Sequence, residues 1–158
     1  MRRFTRKYWA VFRVGLVLLW IRLLLRMKSL PLVLDCVNPR AIVGTTLDPA
    51  VIADLVYYVD RWLGLFPYNT KGNCFPRSLA LYRFARRSGY AVTFFCGVRR
   101  ESSGLDGHAW LMLDDQPFYE SGQNWQRFTV TYSYPADHVG VGKHTPAIKP
   151  QGGRMLDR

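Results

Sequence analysis

The hydrophobic pattern of the chain changes once, near residue 90, and this change limits the folds that are open to it. Before residue 90 the stretches 48–64 and 74–87 carry apolar residues at helical spacing, and after it come short apolar or alternating runs that are typical of strands. Helices followed by strands that are joined through short turns predict an α+β fold with a mostly antiparallel sheet. The predicted strands are 90–98, 107–113, 117–121 and 127–135.

One helix is marked by signals at both of its ends. Asp48 and Pro49 have the residue types of an N-cap and a first helical position, and Gly64 stands just past the predicted end. The preceding stretch 29–39 carries two prolines, which break the helical pattern, and 40–47 is predicted to be a connecting loop.

The first 34 residues hold most of the charge. They contain eight Arg and Lys and no acid, whereas the whole chain of 158 residues carries a net +11, so the remainder is near +3. Because the charge is confined to this apolar segment, nucleic-acid binding is not expected. The uninterrupted apolar run 14–21 is shorter than the about 20 residues that cross a bilayer, and no small-residue cleavage site follows it. We expect a cytoplasmic helix over roughly 4–27, buried or resting on a membrane or a partner.

The chain divides by character into three parts and fits one globular domain with tails. Residues 1–47 form the basic, apolar N-terminal helical segment and connecting loop, 48–135 the core, and 136–158, rich in Gly, Pro and charge, a flexible tail. Three cysteines without a CxxC pair disfavour a disulfide framework and suit a reducing compartment. The sequence contains no metal-ligand spacing and no P-loop pattern, so no metal and no cofactor is expected.

Cys74 stands at the predicted start of a helix over 74–87, directly after the cap candidate Asn73. The partial positive charge of a helix N-terminus favours a thiolate there. The backbone N–H of Cys74 is then a natural half of an oxyanion hole. Cys96 lies on a buried strand and is interpreted as a core residue, and Cys36 has no nearby base, so neither is assigned chemistry.

A nucleophilic thiol needs a base, and two of the three histidines lie in the predicted tail. The third, His108, begins the apolar strand "GHAWLML", where it is either a hydrogen-bonded core group or a base. Trp110 follows on the same strand and either shields the site or packs in the core. Arg77, one turn after Cys74, is a candidate for substrate binding, with a structural role as the alternative.

A third group should orient the imidazole. The candidates are Asp106, Asp114, Asp115 and Glu120, and the second and third of these fall in the turn "DDQP", where Asp is common for local reasons. A turn centred on Asp115 would place Glu120 on the face of His108, whereas a two-residue turn would place it on the opposite face. Glu120 is preferred on this basis, and Asp106, two residues before His108, is the alternative acid.

Three stretches taken together resemble the transglutaminase-like cysteine peptidases of lasso peptide biosynthesis. They are "NCFPRSLALYRFARRSGYAVTFFCGVRR", "GLDGHAWLMLDDQPFYES" and "FTVTYSYP", and the resemblance covers about residues 48–135. It implies a transglutaminase-like, papain-like fold in which the Cys opens a helix. The family's Cys falls on Cys74, its His on His108, and its third member, usually Asp, on Glu120.

The resemblance also implies a reaction and its partners. The protein would remove the leader from a ribosomally made precursor peptide that a small leader-recognition protein delivers, before a separate ATP-dependent enzyme closes a macrolactam ring. Two alternatives remain open. The same triad can transfer the acyl group to an amine, or the scaffold can serve a non-catalytic, basic protein that binds a membrane or a partner.

Overall fold

The computed structural model describes residues 2–39, 48–65, 72–102, 104–120 and 124–135. The predicted connecting loop 40–47 and tail 136–158 lie outside these described residues. Within them, four helices precede a four-stranded antiparallel sheet, which confirms the α+β class. The elements are α1 (Arg2–Met27), α2 (Leu30–Val37), α3 (Pro49–Leu65), α4 (Cys74–Arg87), β1 (Thr93–Glu101), β2 (Gly104–Leu113), β3 (Gln116–Pro117), a 3-10 turn (Asn124–Arg127) and β4 (Thr129–Tyr134).

Helix α2 corrects the expectation that the prolines interrupt helical structure between residues 29 and 39. Pro31 lies in the first turn of α2, where its missing N–H would have had no intrahelical acceptor. Pro39 follows the end of the helix, after Asn38, whose N–H donates to the Leu34 carbonyl at 2.8 Å. The buried side chains of α2 are Val33, Leu34 and Val37.

Helix α3 starts as its sequence predicts, because Asp48 Oδ1 accepts the Ala50 N–H at 2.9 Å. It runs to Leu65 and therefore includes Gly64, which the sequence had placed just past the end. Its Trp62 lies against α1, where the indole N–H donates to the Val11 carbonyl at 2.8 Å.

One hydrophobic core joins the four helices to one face of the sheet. Helix α1 belongs to this core, and it also contains a segment, Lys7–Met27, that is long and apolar enough to cross a membrane by length and composition, a property that core helices and signal sequences share. The side chains with no more than 1% exposure include members of every helix and of two strands, among them Val14, Leu18, Ile21, Val33, Leu34, Val37, Val59, Leu79, Tyr82, Phe94 and Leu111.

The sheet has the order β3-β2-β1-β4. On the face towards the helices, Ala109 is buried. Its carbonyl accepts a hydrogen bond from the buried Ser78 hydroxyl of α4 at 2.8 Å, and this bond fixes α4 against β2. On the other face, Phe95 and Trp110 are cross-strand partners and are also buried. The strand bounds differ from the predicted ones mainly at β3, which has two residues instead of the five in 117–121.

Candidate active site

Helix α4 begins at Cys74, as predicted, and the thiol is half-buried. Pro76 lies buried in the first turn, and the Arg77 N–H donates to the Asn73 carbonyl at 3.0 Å. Cys74 precedes Arg77 in the first turn, so its own N–H has no acceptor within the helix. This N–H points out of the helix N-terminus, where an anion is stabilised. This is the position that the sequence analysis assigned to one oxyanion donor.

Asn73 stands at the N-cap position but does not cap the helix through its side chain, which corrects one expectation. Its side-chain oxygen accepts a hydrogen bond from Arg22 Nη2 of α1 at 2.7 Å instead. Asn73, the residue before Cys74, is therefore held by Arg22, which is 51 positions away in the sequence.

His108 lies on β2 between two partners. Its Nε2 is 3.1 Å from Glu120 Oε1, and the Cys74 side chain, which lines the same cavity, is its other partner. Cys74 Sγ lies 3.9 Å from the carbonyl oxygen of Gly107, the residue directly before His108. A carboxylate only accepts hydrogen bonds, so the proton on Nε2 points to Glu120. The three residues that the sequence selected are brought together in this structure.

The hydrogen bond with Cys74, followed by that with Glu120, raises the pKa of His108 from 6.5 to about 9, although burial acts in the opposite direction. The imidazole therefore carries both of its protons at neutral pH. A protonated ring donates a hydrogen bond to the Glu120 carboxylate and places a positive charge beside the Cys74 sulfur in the same cavity.

Glu120 reaches His108 by a route that the sequence analysis did not foresee. The turn has two residues, Asp114 and Asp115, both with positive φ, so the premise of a turn centred on Asp115 was wrong. A regular hairpin of that register would have sent Glu120 to the opposite face. The pairing ends at Pro117, however, and Tyr119 has a φ of +51°, which redirects the backbone before Glu120.

Arg77 holds Glu120 in place from the opposite side. Its Nη1 is 3.5 Å from Glu120 Oε2, and its Nη2 donates to the Tyr119 carbonyl at 2.9 Å. Its Nε donates to Asp60 Oδ1 of α3 at 2.7 Å. Arg77 was a candidate for substrate binding, and the structure directs its donors to groups of the chain itself. Asp60 was not selected by the sequence analysis, since an acid on the polar side of a helix gives no signal there.

The alternative acid, Asp106, points elsewhere. It is the cross-strand partner of Arg99 in the β1–β2 ladder, and Arg99 Nη2 lies 3.1 Å from Asp106 Oδ2. Asp114 and Asp115 are exposed in the hairpin turn. Among these acids, Glu120 is the one that contacts the imidazole.

Aromatic rings form a wall behind the imidazole. Trp110 is 2% exposed and stacks on His108 with ring centroids 5.9 Å apart. Phe95 stacks on Trp110, and Phe128 contacts the imidazole with ring centroids 5.2 Å apart. Trp110 therefore packs and shields at once, because it closes one side of the imidazole to water.

The open side of the site is a cavity of about 370 Å³. Cys96 does not line this cavity, and burial raises the pKa of its thiol, consistent with its assignment as a core residue. Within the described residues, no group of three or more His, Cys, Asp or Glu could hold a metal ion. The cavity is lined by Asp60, Cys74, Arg77, His108, Ala109 and Glu120.

Comparison with known families agrees with this geometry. A sequence model described as the transglutaminase-like superfamily matches residues 15–133, about three quarters of the chain. The match extends from α1 into β4 and includes the thiol, the imidazole and the carboxylate described above. Searches among curated proteins and among solved structures found no match.

Proposed function

Since the chain belongs to the transglutaminase-like superfamily, whose members are commonly cysteine peptidases or acyltransferases, we propose that it is a cysteine peptidase that removes the leader from a ribosomally synthesised lasso precursor peptide. The observation that carries the proposal is that Cys74, His108 and Glu120 line one cavity, with His108 Nε2 3.1 Å from Glu120 Oε1. The lasso assignment rests on the sequence resemblance over residues 48–135.

The proposed reaction begins when the Cys74 thiolate attacks the carbonyl at the leader–core junction. A carbon–sulfur bond forms, and the oxyanion is stabilised by the Cys74 N–H at the start of α4. The carbon–nitrogen bond then breaks, and the His108 imidazolium gives its proton to the leaving amine, which is the new N-terminus of the core peptide. The leader stays on the enzyme as a thioester.

Water completes the cycle. Neutral His108 takes one proton from the water that attacks the thioester, the leader leaves as a carboxylic acid that gives its proton to solvent, and the thiolate–imidazolium pair is restored. Glu120 keeps the imidazole oriented throughout. The released core peptide has a free amine, which is the group that a separate ATP-dependent enzyme would need for ring closure. A small leader-recognition protein would deliver the precursor.

The test is mass spectrometry of the precursor peptide after incubation with the protein and its delivery partner. We expect two fragments whose masses together exceed that of the precursor by one water. Cys74→Ala should abolish cleavage, whereas the matched variants Cys96→Ala and Cys36→Ala should retain it. Cleavage by Cys74→Ala would refute the nucleophile assignment. In the presence of added primary amine, an acyl fragment that carries the amine would identify a transferase instead of a peptidase.

Alkylation separates an enzyme from a non-catalytic scaffold without any knowledge of the substrate. An imidazolium beside Cys74 favours the thiolate, so iodoacetamide should modify Cys74 faster than Cys36 and Cys96 at a pH slightly below neutrality. Equal rates for Cys36 and Cys74, the two half-buried cysteines, would contradict an activated nucleophile.

A further inference from the structure

Helix α1 displays a row of apolar side chains on the face that points away from the core. We call this row the exposed stripe, and each of its members is between 51% and 72% exposed. They recur every three or four positions and fall within about 80° of the helix circumference. The exposed stripe consists of Trp9, Phe12, Leu16, Leu19, Leu23 and Met27.

The opposite face of α1 fixes the stripe in this outward position. Val14, Leu18 and Ile21 have no exposed surface and pack in the main core. The Trp62–Val11 hydrogen bond adds a polar attachment to α3. A helix that crossed a bilayer would have to give up these contacts, so the packed domain allows α1 to lie on an apolar surface and does not allow it to span one.

The charged residues around the exposed stripe indicate which kind of surface it would bind. The first 34 residues contain eight Arg and Lys and no acid. Arg13 and Arg26 are exposed and flank the exposed stripe, each about 70° from its centre on opposite sides. Two copies of the chain joined through the stripe would bring these acid-free, basic helices together, which like-charge repulsion disfavours.

We propose that the exposed stripe of α1 binds an anionic membrane surface, with the helix lying in the plane of the interface. The apolar side chains enter the acyl boundary, and Arg13 and Arg26 reach the lipid phosphates on either side. Trp9 and Phe12, whose ring centroids lie 6.0 Å apart, form an aromatic anchor at one end of the stripe. The inference is independent of the reaction proposed above.

The experiment is flotation of the full chain with vesicles of phosphatidylcholine containing phosphatidylglycerol, and with vesicles of phosphatidylcholine alone. We expect binding to the anionic vesicles that weakens as salt is added. Leu16→Gln/Leu23→Gln should lower binding at least about tenfold, because two apolar anchors are lost. The matched control is Leu105→Gln, which alters a 77% exposed leucine on β2 and should bind like the unaltered chain.

A second pair of variants tests the charge. Arg13→Gln/Arg26→Gln should lower the preference for anionic vesicles by about fivefold for each arginine, while the stripe is intact. Far-UV circular dichroism and urea unfolding establish that each variant is folded.

Four results would overturn the proposal. These are an absence of vesicle binding by the folded chain, equal binding to both vesicle types, retention of the protein in the membrane after alkaline extraction, and a dimer in solution that Leu16→Gln/Leu23→Gln dissolves. The third result would indicate a spanning helix, and the fourth would indicate a second copy on the exposed stripe.

Discussion

Cys74 and Glu120 both raise the pKa of His108, so the pH dependence of catalysis should respond to both neighbours. With a pKa of about 9, the imidazole is protonated below that pH and loses its proton above it. Because the protonated ring serves the leaving amine, kcat/KM should fall on the alkaline side with an apparent pKa near 9. Glu120→Gln removes a cause of the raised pKa, so the alkaline fall should move to lower pH and kcat should drop roughly 100-fold.

The matched control for this prediction is Glu101→Gln, which alters an exposed carboxylate paired with Arg99. Glu101→Gln should not shift the pH–rate profile. An alkaline fall that does not move in Glu120→Gln would contradict the role assigned to that carboxylate. So would an equal loss of turnover in Asp106→Asn, since Asp106 is directed to Arg99.

Arg77 acts, on this structure, as a positioning residue for Glu120. It contacts Glu120 at 3.5 Å and is anchored to Asp60 at 2.7 Å. Arg77→Gln should therefore lower kcat about tenfold with little change in KM, because the orientation of the imidazole suffers and substrate contacts do not. Arg77→Lys should restore only part of the rate, since a single ammonium cannot reproduce the planar fork.

Steady-state kinetics with the precursor peptide separate this role from substrate binding. A variant in which KM rises while kcat is unchanged would assign Arg77 to the peptide instead. Asp60→Asn offers the matched control, because it weakens the anchor of Arg77 without touching His108. It should give a smaller fall in kcat and no shift in KM.

The sequence predicted those site residues whose positions are determined by their neighbours along the chain. Cys74 at a helix start and His108 at a strand start were both identified, since each signal lies within a few residues. Glu120 was selected with an incorrect turn geometry, because the positive φ of Tyr119 is not encoded by any glycine or asparagine there. The Asp60–Arg77 pair depends on two helices that meet only in the folded chain.

The crossing of α1 and α3 depends on one residue without a side chain. A Cβ placed on Gly15 would lie 2.6 Å from the Trp62 ring, whose indole is held by its bond to the Val11 carbonyl. Gly15→Val should therefore separate the helices and lower the free energy of unfolding by about 1–3 kcal/mol. Urea denaturation followed by circular dichroism measures the change.

Gly64 provides the matched control for Gly15, because nothing lies within 4 Å of a Cβ built on it. Gly64→Ala should be as stable as the unaltered chain or slightly more stable, as expected for alanine in a helix. If Gly15→Val unfolds at the same urea concentration as the unaltered chain, the close crossing is not required.

Helices and strands were predictable to the extent that end signals agree with periodicity. Asp48 and Pro49 located the start of α3, and the bond from Ala50 confirms it. Helix α2 was missed because Pro31 was interpreted as a break, although proline is tolerated in a first turn. Asn73 has a cap residue type, but a tertiary bond from Arg22 takes its oxygen. The propensity of a residue to cap a helix is thus overridden where another element forms a hydrogen bond with the same side chain.

The sequence pattern and the packing divide the chain differently. The change of character near residue 47 suggested an N-terminal segment and a core, and the α+β class followed correctly from the order of patterns. No feature of the sequence shows which helices share a core, since that depends on contacts between distant positions. In the structure, α1 and α2 contribute to the same core as α4 and the sheet.

This packing leads to a prediction about fragments. Burial of the six fully buried side chains of α1 and α2 is worth roughly 9–18 kcal/mol, as much as the whole net stability of a typical domain, about 5–15 kcal/mol. The fragment 48–135 should therefore lack a cooperative urea transition, whereas a matched chain that ends at residue 135 and keeps all four helices should unfold cooperatively. A cooperative transition in 48–135, with Cys74 alkylated as fast as in the full chain, would show instead that α1 and α2 are dispensable and that the site is organised by α3, α4 and the sheet.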